Sequence, residues 1–109
     1  MVFHGVDVKK QFKRMRELAP EAYRSFLEFD GKAFAAGALP LKTKELVALG
    51  IAHITQCPWC IEAHVACATK AGATDQEIGE VIFVAMAMAA GAAWSHGGLA
   101  LQCREEHQA

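Results

Sequence analysis

Apolar residues recur at helical spacing along most of the chain, and this pattern predicts a succession of α-helices. In the first segment Phe12, Met15 and Leu18 alternate with charged residues, and Asp7 is a candidate N-cap. Pro20 ends this helix and also suits the first turn of a second one, where its missing N–H costs nothing. The apolar face of the second helix would be formed by Tyr23, Phe26, Leu27 and Phe34.

In the middle of the chain the sequence indicates where the second helix ends and predicts a third helix. Gly37 is expected to close the second helix, because glycine is favoured just beyond helix ends. Residues 41–55 then form the third helix, with Leu46 and Leu49 on one apolar stripe. The chain breaks again at Gln56, so a short connection is expected to precede the next helix.

A fourth helix begins at a pair of cysteines. Pro58 suits the first helical position, which places Cys57 at the N-cap and Cys60 at the third helical residue. The helix is expected to run to about Ala71 and to end at Gly72, a residue type favoured for the left-handed C-terminal cap. The sequence therefore predicts a dithiol at a helix N-terminus.

The last third predicts one buried helix and one shorter helical segment. Thr74 and Glu77 form a capping box that opens the fifth helix. Residues 81–94 are apolar nearly all round, so this helix is expected to be buried on most sides; they are fewer than the ~20 residues that cross a membrane. A sixth segment from about Ala92 to Glu105 is expected to be interrupted at Gly97 and Gly98. No alternating strand pattern occurs, so the predicted fold is all-α with five to six helices.

Size and composition narrow the classes of protein. The 109 residues form one domain, 1–109, and 53% hydrophobic against 21% charged residues exclude a disordered chain. The apolar excess is unusual for so short a domain and indicates contact between subunits of a homo-oligomer. A net charge of −1 gives no basic surplus for nucleic acid. The first ten residues lack an apolar run typical of a secretory signal, which predicts a cytoplasmic location and no membrane partner.

Candidate chemistry lies in the segment Cys57-Pro58-Trp59-Cys60, followed by His64. In the cytosol thiols stay reduced, so four cysteines favour redox chemistry or metal binding over a structural disulfide framework. Two residues between cysteines at a helix start let the sulfurs reach bonding distance, and the helix dipole favours a thiolate. His64 lies one turn after Cys60 on the same helical face, where its imidazole can exchange a proton with the thiol.

The same residues also occur in other kinds of site. A thioredoxin would need a strand before the motif, and covalent haem attachment would need His directly after the second cysteine. A zinc site is the main rival, with His53, Cys67 or His96 as the fourth ligand, although only one ligand cluster is present. The roles of these three residues and of Cys103 stay open, with both cysteines expected to be small buried hydrophobes.

The motif resembles the AhpD-like alkylhydroperoxidases of the carboxymuconolactone decarboxylase superfamily. The resemblance covers about residues 41–99 and consists of Glu45, twelve residues before Cys57, then Cys57, Cys60 and His64. It implies an all-α AhpD-like domain, assembly into trimers or hexamers, and no metal or organic cofactor.

The resemblance also implies roles for the four residues. Cys60 would attack a hydroperoxide and become a sulfenic acid, Cys57 would resolve it to a disulfide, and Glu45 and His64 would relay protons. The implied activity is reduction of alkyl hydroperoxides or disulfides, with an external lipoyl- or thioredoxin-type dithiol as reductant. The alternatives are a zinc-binding protein and a non-catalytic oligomeric module with a redox-sensitive thiol pair.

Overall fold

The computed structural model describes residues 8–108 and folds them into five α-helices, with no strand among these residues. The helices are α1 (Lys9–Leu18), α2 (Pro20–Phe34), α3 (Leu41–Thr55), α4 (Pro58–Lys70) and α5 (Asp75–Gln108). The all-α prediction is confirmed, and so are the bounds of α3 and the start of α4. Asp7, the predicted N-cap of α1, lies outside the described residues.

The centre of the fold is the α3–α4 hairpin, and α5 packs against the α3 helix of this hairpin. The two-residue connection after Thr55 turns α4 back along α3, and these two helices contain the buried residues Glu45, Leu49, Ala52 and Ala68. At Gly50 α3 approaches α5 so closely that a Cβ atom would lie 3.4 Å from Cγ1 of Val81. The buried hydrophobic residues in the described part of the chain are Leu49, Ala52, Ala68 and Ala85.

The second helix ends earlier than predicted. Gly37 was expected to close it, but α2 ends at Phe34 and Ala35 is already extended, with ψ of 139°. Lys44 of α3 explains the earlier end, because its ammonium group donates hydrogen bonds to the carbonyl oxygens of Ala33 and Ala35. Neither α1 nor α2 contains a buried residue.

The predicted break at Gly97 and Gly98 is wrong, since α5 is one continuous helix of 34 residues. Each glycine costs only about 1 kcal/mol relative to alanine in a helix interior. The alanine- and leucine-rich turns on both sides can outweigh this cost. The helix is also long and apolar enough to cross a membrane, although core helices of soluble proteins can be equally long and apolar. The expectation that this segment is too short to span a membrane is therefore wrong.

The prediction that the fifth helix is buried on most sides is not met within one chain. Only Ala85 of α5 is buried, whereas Phe83 is 68% exposed and Trp94 is 85% exposed. The radius of gyration is 18.5 Å, well above the ~13 Å expected for a compact chain of this length. A single chain therefore forms an open arrangement of helices.

Candidate active site

The turn between α3 and α4 presents the two cysteines at the start of α4. Gln56 adopts the left-handed conformation with φ of 57°, and the N–H of Cys57 donates to the carbonyl of Ala52 at 3.2 Å. Pro58 follows as the first helical residue. Cys57 is the N-cap, and its sulfur accepts a hydrogen bond from the backbone N–H of Cys60 at 3.2 Å. The predicted placement of the dithiol at a helix N-terminus is confirmed.

Cys57 and Cys60 are joined in a disulfide, with their Cα atoms 5.2 Å apart. Their surroundings differ, since Cys60 is exposed and Cys57 is half-buried. The sulfur of Cys57 alone receives the helix N–H, and this contact together with the helix dipole would stabilise a Cys57 thiolate after reduction. The pair thus combines one accessible sulfur with one whose anion is stabilised by the helix.

Glu45 and His64 form a part-buried hydrogen bond across the α3–α4 hairpin. Oε2 of Glu45 lies 2.7 Å from Nδ1 of His64, and Glu45 is only 6% exposed. Because a carboxylate only accepts, Nδ1 of the imidazole carries a proton, and in the neutral form of the ring Nε2 is the basic nitrogen. Glu45 is therefore not the solvated first-turn carboxylate that composition alone suggests. The hairpin brings it beside a histidine that lies one turn from Cys60.

Phe34 contacts His64 directly, and Lys44 binds the backbone on both sides of Phe34; helical periodicity did not predict either position. The Phe34 ring stacks on the His64 ring, with centroids 5.3 Å apart and planes inclined by 13°. Phe34 was predicted only as part of an apolar helix face. Lys44, next to Glu45, donates to the carbonyl oxygens of Ala33 at 2.8 Å and Ala35 at 2.6 Å. These contacts depend on how α2 meets α3, which helical periodicity does not specify.

The remaining candidates lie apart from the site or have structural contacts. Nδ1 of His53 is 2.9 Å from the carbonyl of Leu49, a bond typical of a satisfied histidine. His96 is exposed on α5. Cys67 and Cys103 are exposed free thiols, so the expectation that they are buried is wrong. Within residues 8–108 no group of three or more His, Cys, Asp or Glu side chains is placed to hold a metal ion.

An apolar groove of about 780 Å³ runs between α3 and α5, away from the dithiol. Its walls include Val47, Ile51 and Ile54 of α3 and Val84 and Met88 of α5. Cys57, Cys60 and His64 do not line this groove.

Comparison with known proteins places this fold and motif in one family. The model of the carboxymuconolactone decarboxylase family matches residues 20–102. The chain belongs to the carboxymuconolactone decarboxylase family, and its all-α architecture with the cysteine pair at a helix start is that of the AhpD-like members.

Individual relatives agree with this assignment. A Paracoccus denitrificans protein named "uncharacterized protein 4 in cox locus" is 50% identical over 82 residues, which are 75% of this chain and 74% of the relative. A carboxymuconolactone decarboxylase family protein from Legionella pneumophila, crystallised in its apo form, is 36% identical with a TM-score of 0.72, over 75% of this chain and 73% of that one. A family protein from Thermotoga maritima, described as possibly involved in antioxidative response, is 33% identical with a TM-score of 0.57. This match covers 59% of this chain and 66% of that one.

Proposed function

We propose that the protein is a cytoplasmic thiol-dependent peroxidase that reduces alkyl hydroperoxides through a Cys57–Cys60 dithiol–disulfide cycle. The observation that carries the proposal is the combination of a cysteine pair at the N-terminus of α4 with His64, one turn after Cys60, and its hydrogen bond to Glu45 of α3. A metal site would use the same thiols, but the proton-handling pair beside them suits redox catalysis better. The possible antioxidative involvement described for the Thermotoga maritima relative agrees with this chemistry.

In the first step Nε2 of His64 takes the proton from the Cys60 thiol. The thiolate attacks the terminal oxygen of the hydroperoxide, the O–O bond breaks, and His64 returns the proton to the departing alkoxide. The products are a Cys60 sulfenic acid and an alcohol. Glu45 stabilises the transient imidazolium, because its carboxylate accepts the hydrogen bond from Nδ1.

In the second step Cys57 loses its thiol proton and attacks the sulfur of the sulfenic acid; the S–O bond breaks, the disulfide forms, and the departing hydroxide takes up that proton to leave as water. A Cys57 thiolate suits this step, since the backbone N–H of Cys60 and the helix dipole stabilise it. An external dithiol then attacks the exposed Cys60 sulfur and displaces Cys57 as a thiolate. The second thiol of the reductant completes the exchange, which leaves an oxidised reductant and two reduced cysteines.

Peroxide consumption by the purified protein with dihydrolipoamide as donor tests the proposal. Cys57→Ser and Cys60→Ser are each expected to abolish turnover. Cys67→Ser and Cys103→Ser are matched controls, because both residues are exposed thiols outside the pair, and these variants are expected to retain full activity. Reversible disulfide formation without turnover would favour a redox-sensing module, and stoichiometric zinc after reducing purification would favour a metal site.

A further inference from the structure

The imidazole of His64 is held at two places, along one edge and on one face. The edge is fixed by the 2.7 Å bond from Nδ1 to Glu45. One hydrogen bond leaves the ring free to tilt, because the terminal torsion of histidine has a broad, roughly two-fold energy profile. The nearly parallel Phe34 ring, inclined by 13°, limits that tilt from the side. The two contacts together define where the bare Nε2 lies.

The position of Phe34 depends in turn on Lys44. Phe34 is the last residue of α2, a helix that contains no buried residue and has little packing to hold its end in place. Carbonyl groups in the last turn of a helix have no partner within the helix, and a cation there is favourable. The Lys44 ammonium donates to the carbonyls of Ala33 and Ala35, which flank Phe34 on both sides.

The consecutive residues Lys44 and Glu45 of α3 thus fix both contacts of His64. Glu45 holds the imidazole directly, whereas Lys44 holds the backbone that carries the stacking ring. We propose that Phe34 and Lys44 are positioning residues that keep His64 in the Nδ1-protonated orientation, with Nε2 available for the Cys60 proton. The proposal rests on the role given to His64 in the proposed function.

The tautomer of His64 provides a test that needs no turnover. In ¹⁵N-labelled reduced protein, long-range ¹H–¹⁵N correlation distinguishes the protonated from the bare ring nitrogen, and His64→Gln assigns the signals. The wild-type protein is expected to show a protonated Nδ1 and a bare Nε2. In Phe34→Met and in Lys44→Met the two nitrogen shifts are expected to converge, because the ring samples more orientations. Phe34→Tyr keeps a stacking ring and should restore the wild-type shifts.

Turnover provides the second arm of the test. Phe34→Met and Lys44→Met are expected to reduce kcat by about two- to tenfold. This is the rate ratio that corresponds to the usual stabilisation energy of two stacked aromatic rings. The controls are Phe29→Leu and Lys32→Met, which alter an exposed ring and an exposed cation on the same helix. Both controls should leave kcat and the tautomer unchanged. Circular dichroism checks folding, and Lys44→Met tests the proposal with Phe34 intact if Phe34→Met does not fold.

The two arms separate this proposal from the proposed function. Wild-type nitrogen shifts in both Phe34→Met and Lys44→Met would overturn it, whatever the activity. If the wild-type protein consumes no peroxide, the proposed function fails while converging shifts in the two variants still support the positioning role.

Discussion

The Glu45 carboxylate is only 6% exposed, and its hydrogen bond to His64 offsets the energetic cost of burying it. A buried charged group without a hydrogen-bonding partner costs far more than an exposed one. The pair therefore stabilises the fold in addition to its proposed role in proton transfer, and different substitutions should separate the two roles.

Glu45→Gln is expected to impair catalysis without unfolding the protein. The amide oxygen can still accept the Nδ1 proton of His64, but it no longer offsets the charge of an imidazolium. Peroxide turnover should fall roughly 10²-fold, at the low end of general acid–base contributions, while the urea midpoint stays near that of the wild type. Glu28→Gln, at an exposed ion pair with Lys32, is the matched control and should change neither quantity. Full turnover in Glu45→Gln would remove Glu45 from the relay.

His64→Ala is expected to destabilise the protein as well as slow it. It leaves the Glu45 carboxylate buried without its partner, which should lower the free energy of unfolding by about 1–3 kcal/mol. The double variant Glu45→Gln/His64→Ala should be less destabilised than the sum of the single variants, because no buried charge remains. Urea unfolding of the four proteins measures this coupling. Strict additivity would mean that the two side chains do not interact energetically.

How much of the site the sequence could predict differs from residue to residue. Cys57, Pro58 and Cys60 were placed correctly because N-cap preferences are local. The association of Glu45 with His64 came only from the family resemblance, which gives both residues a part in one proton relay. The positions of Phe34 and Lys44 were not predictable, because they depend on long-range packing between α2 and α3.

At the scale of elements, the best-predicted boundaries are those with specific local signals. Pro58 at the start of α4 and Gly72 after its end, with φ of +96°, mark that helix in sequence and in structure. The predicted break at Gly97 and Gly98 was wrong because glycine only weakens a helix interior. The end of α2 was misplaced because a side chain from another helix, Lys44, takes its terminal carbonyls.

The capping box at the start of α5 is expected to contribute measurable stability. Oγ1 of Thr74 accepts from the N–H of Glu77 at 3.1 Å, and Oε1 of Glu77 accepts from the N–H of Thr74 at 2.9 Å. Thr74→Ala should lower the free energy of unfolding by about 1 kcal/mol. Thr74→Ser retains the hydroxyl and is the control. Equal stability of the alanine variant would show that the start of α5 does not depend on this cap.

The same box predicts a dependence of stability on pH. The backbone N–H of Thr74, followed by the nearby ammonium of Lys42, holds the pKa of the Glu77 carboxyl below its ordinary value. A lowered folded-state pKa stabilises the protein fully above the ordinary value, and this contribution is lost as pH falls through the lowered one. The stability difference between wild type and Glu77→Gln should therefore be constant near neutral pH and shrink in acid. Urea unfolding across that range measures it, and a difference that grows in acid would contradict the prediction.

At the scale of the whole molecule, the exposed face of α5 and the open shape of the chain are both explained if another surface covers α5. Four buried hydrophobic residues in the described part of the chain are a small core, while the apolar groove between α3 and α5 and the ring of Trp94 face solvent. Contiguous apolar surface of this kind is typical of an interaction site. A membrane would also cover such a helix, since α5 is long and apolar enough to span one.

The last prediction is that the protein is an obligate homo-oligomer, a trimer or a hexamer. Subunit contacts would cover α5 and reconcile a radius of gyration of 18.5 Å with a stable fold, which a lone chain of this shape would not achieve. Light scattering coupled to size exclusion should give a mass three or six times 11.8 kDa, and the melting temperature should rise with protein concentration. Trp94→Glu, at a residue that is 85% exposed in one chain, should dissociate or aggregate the assembly, whereas Gln76→Glu, at an exposed polar residue in the first turn of the same helix, should not. A monodisperse 11.8 kDa monomer would contradict the prediction, and recovery only with detergent from the membrane fraction would point to a bilayer as the covering surface instead.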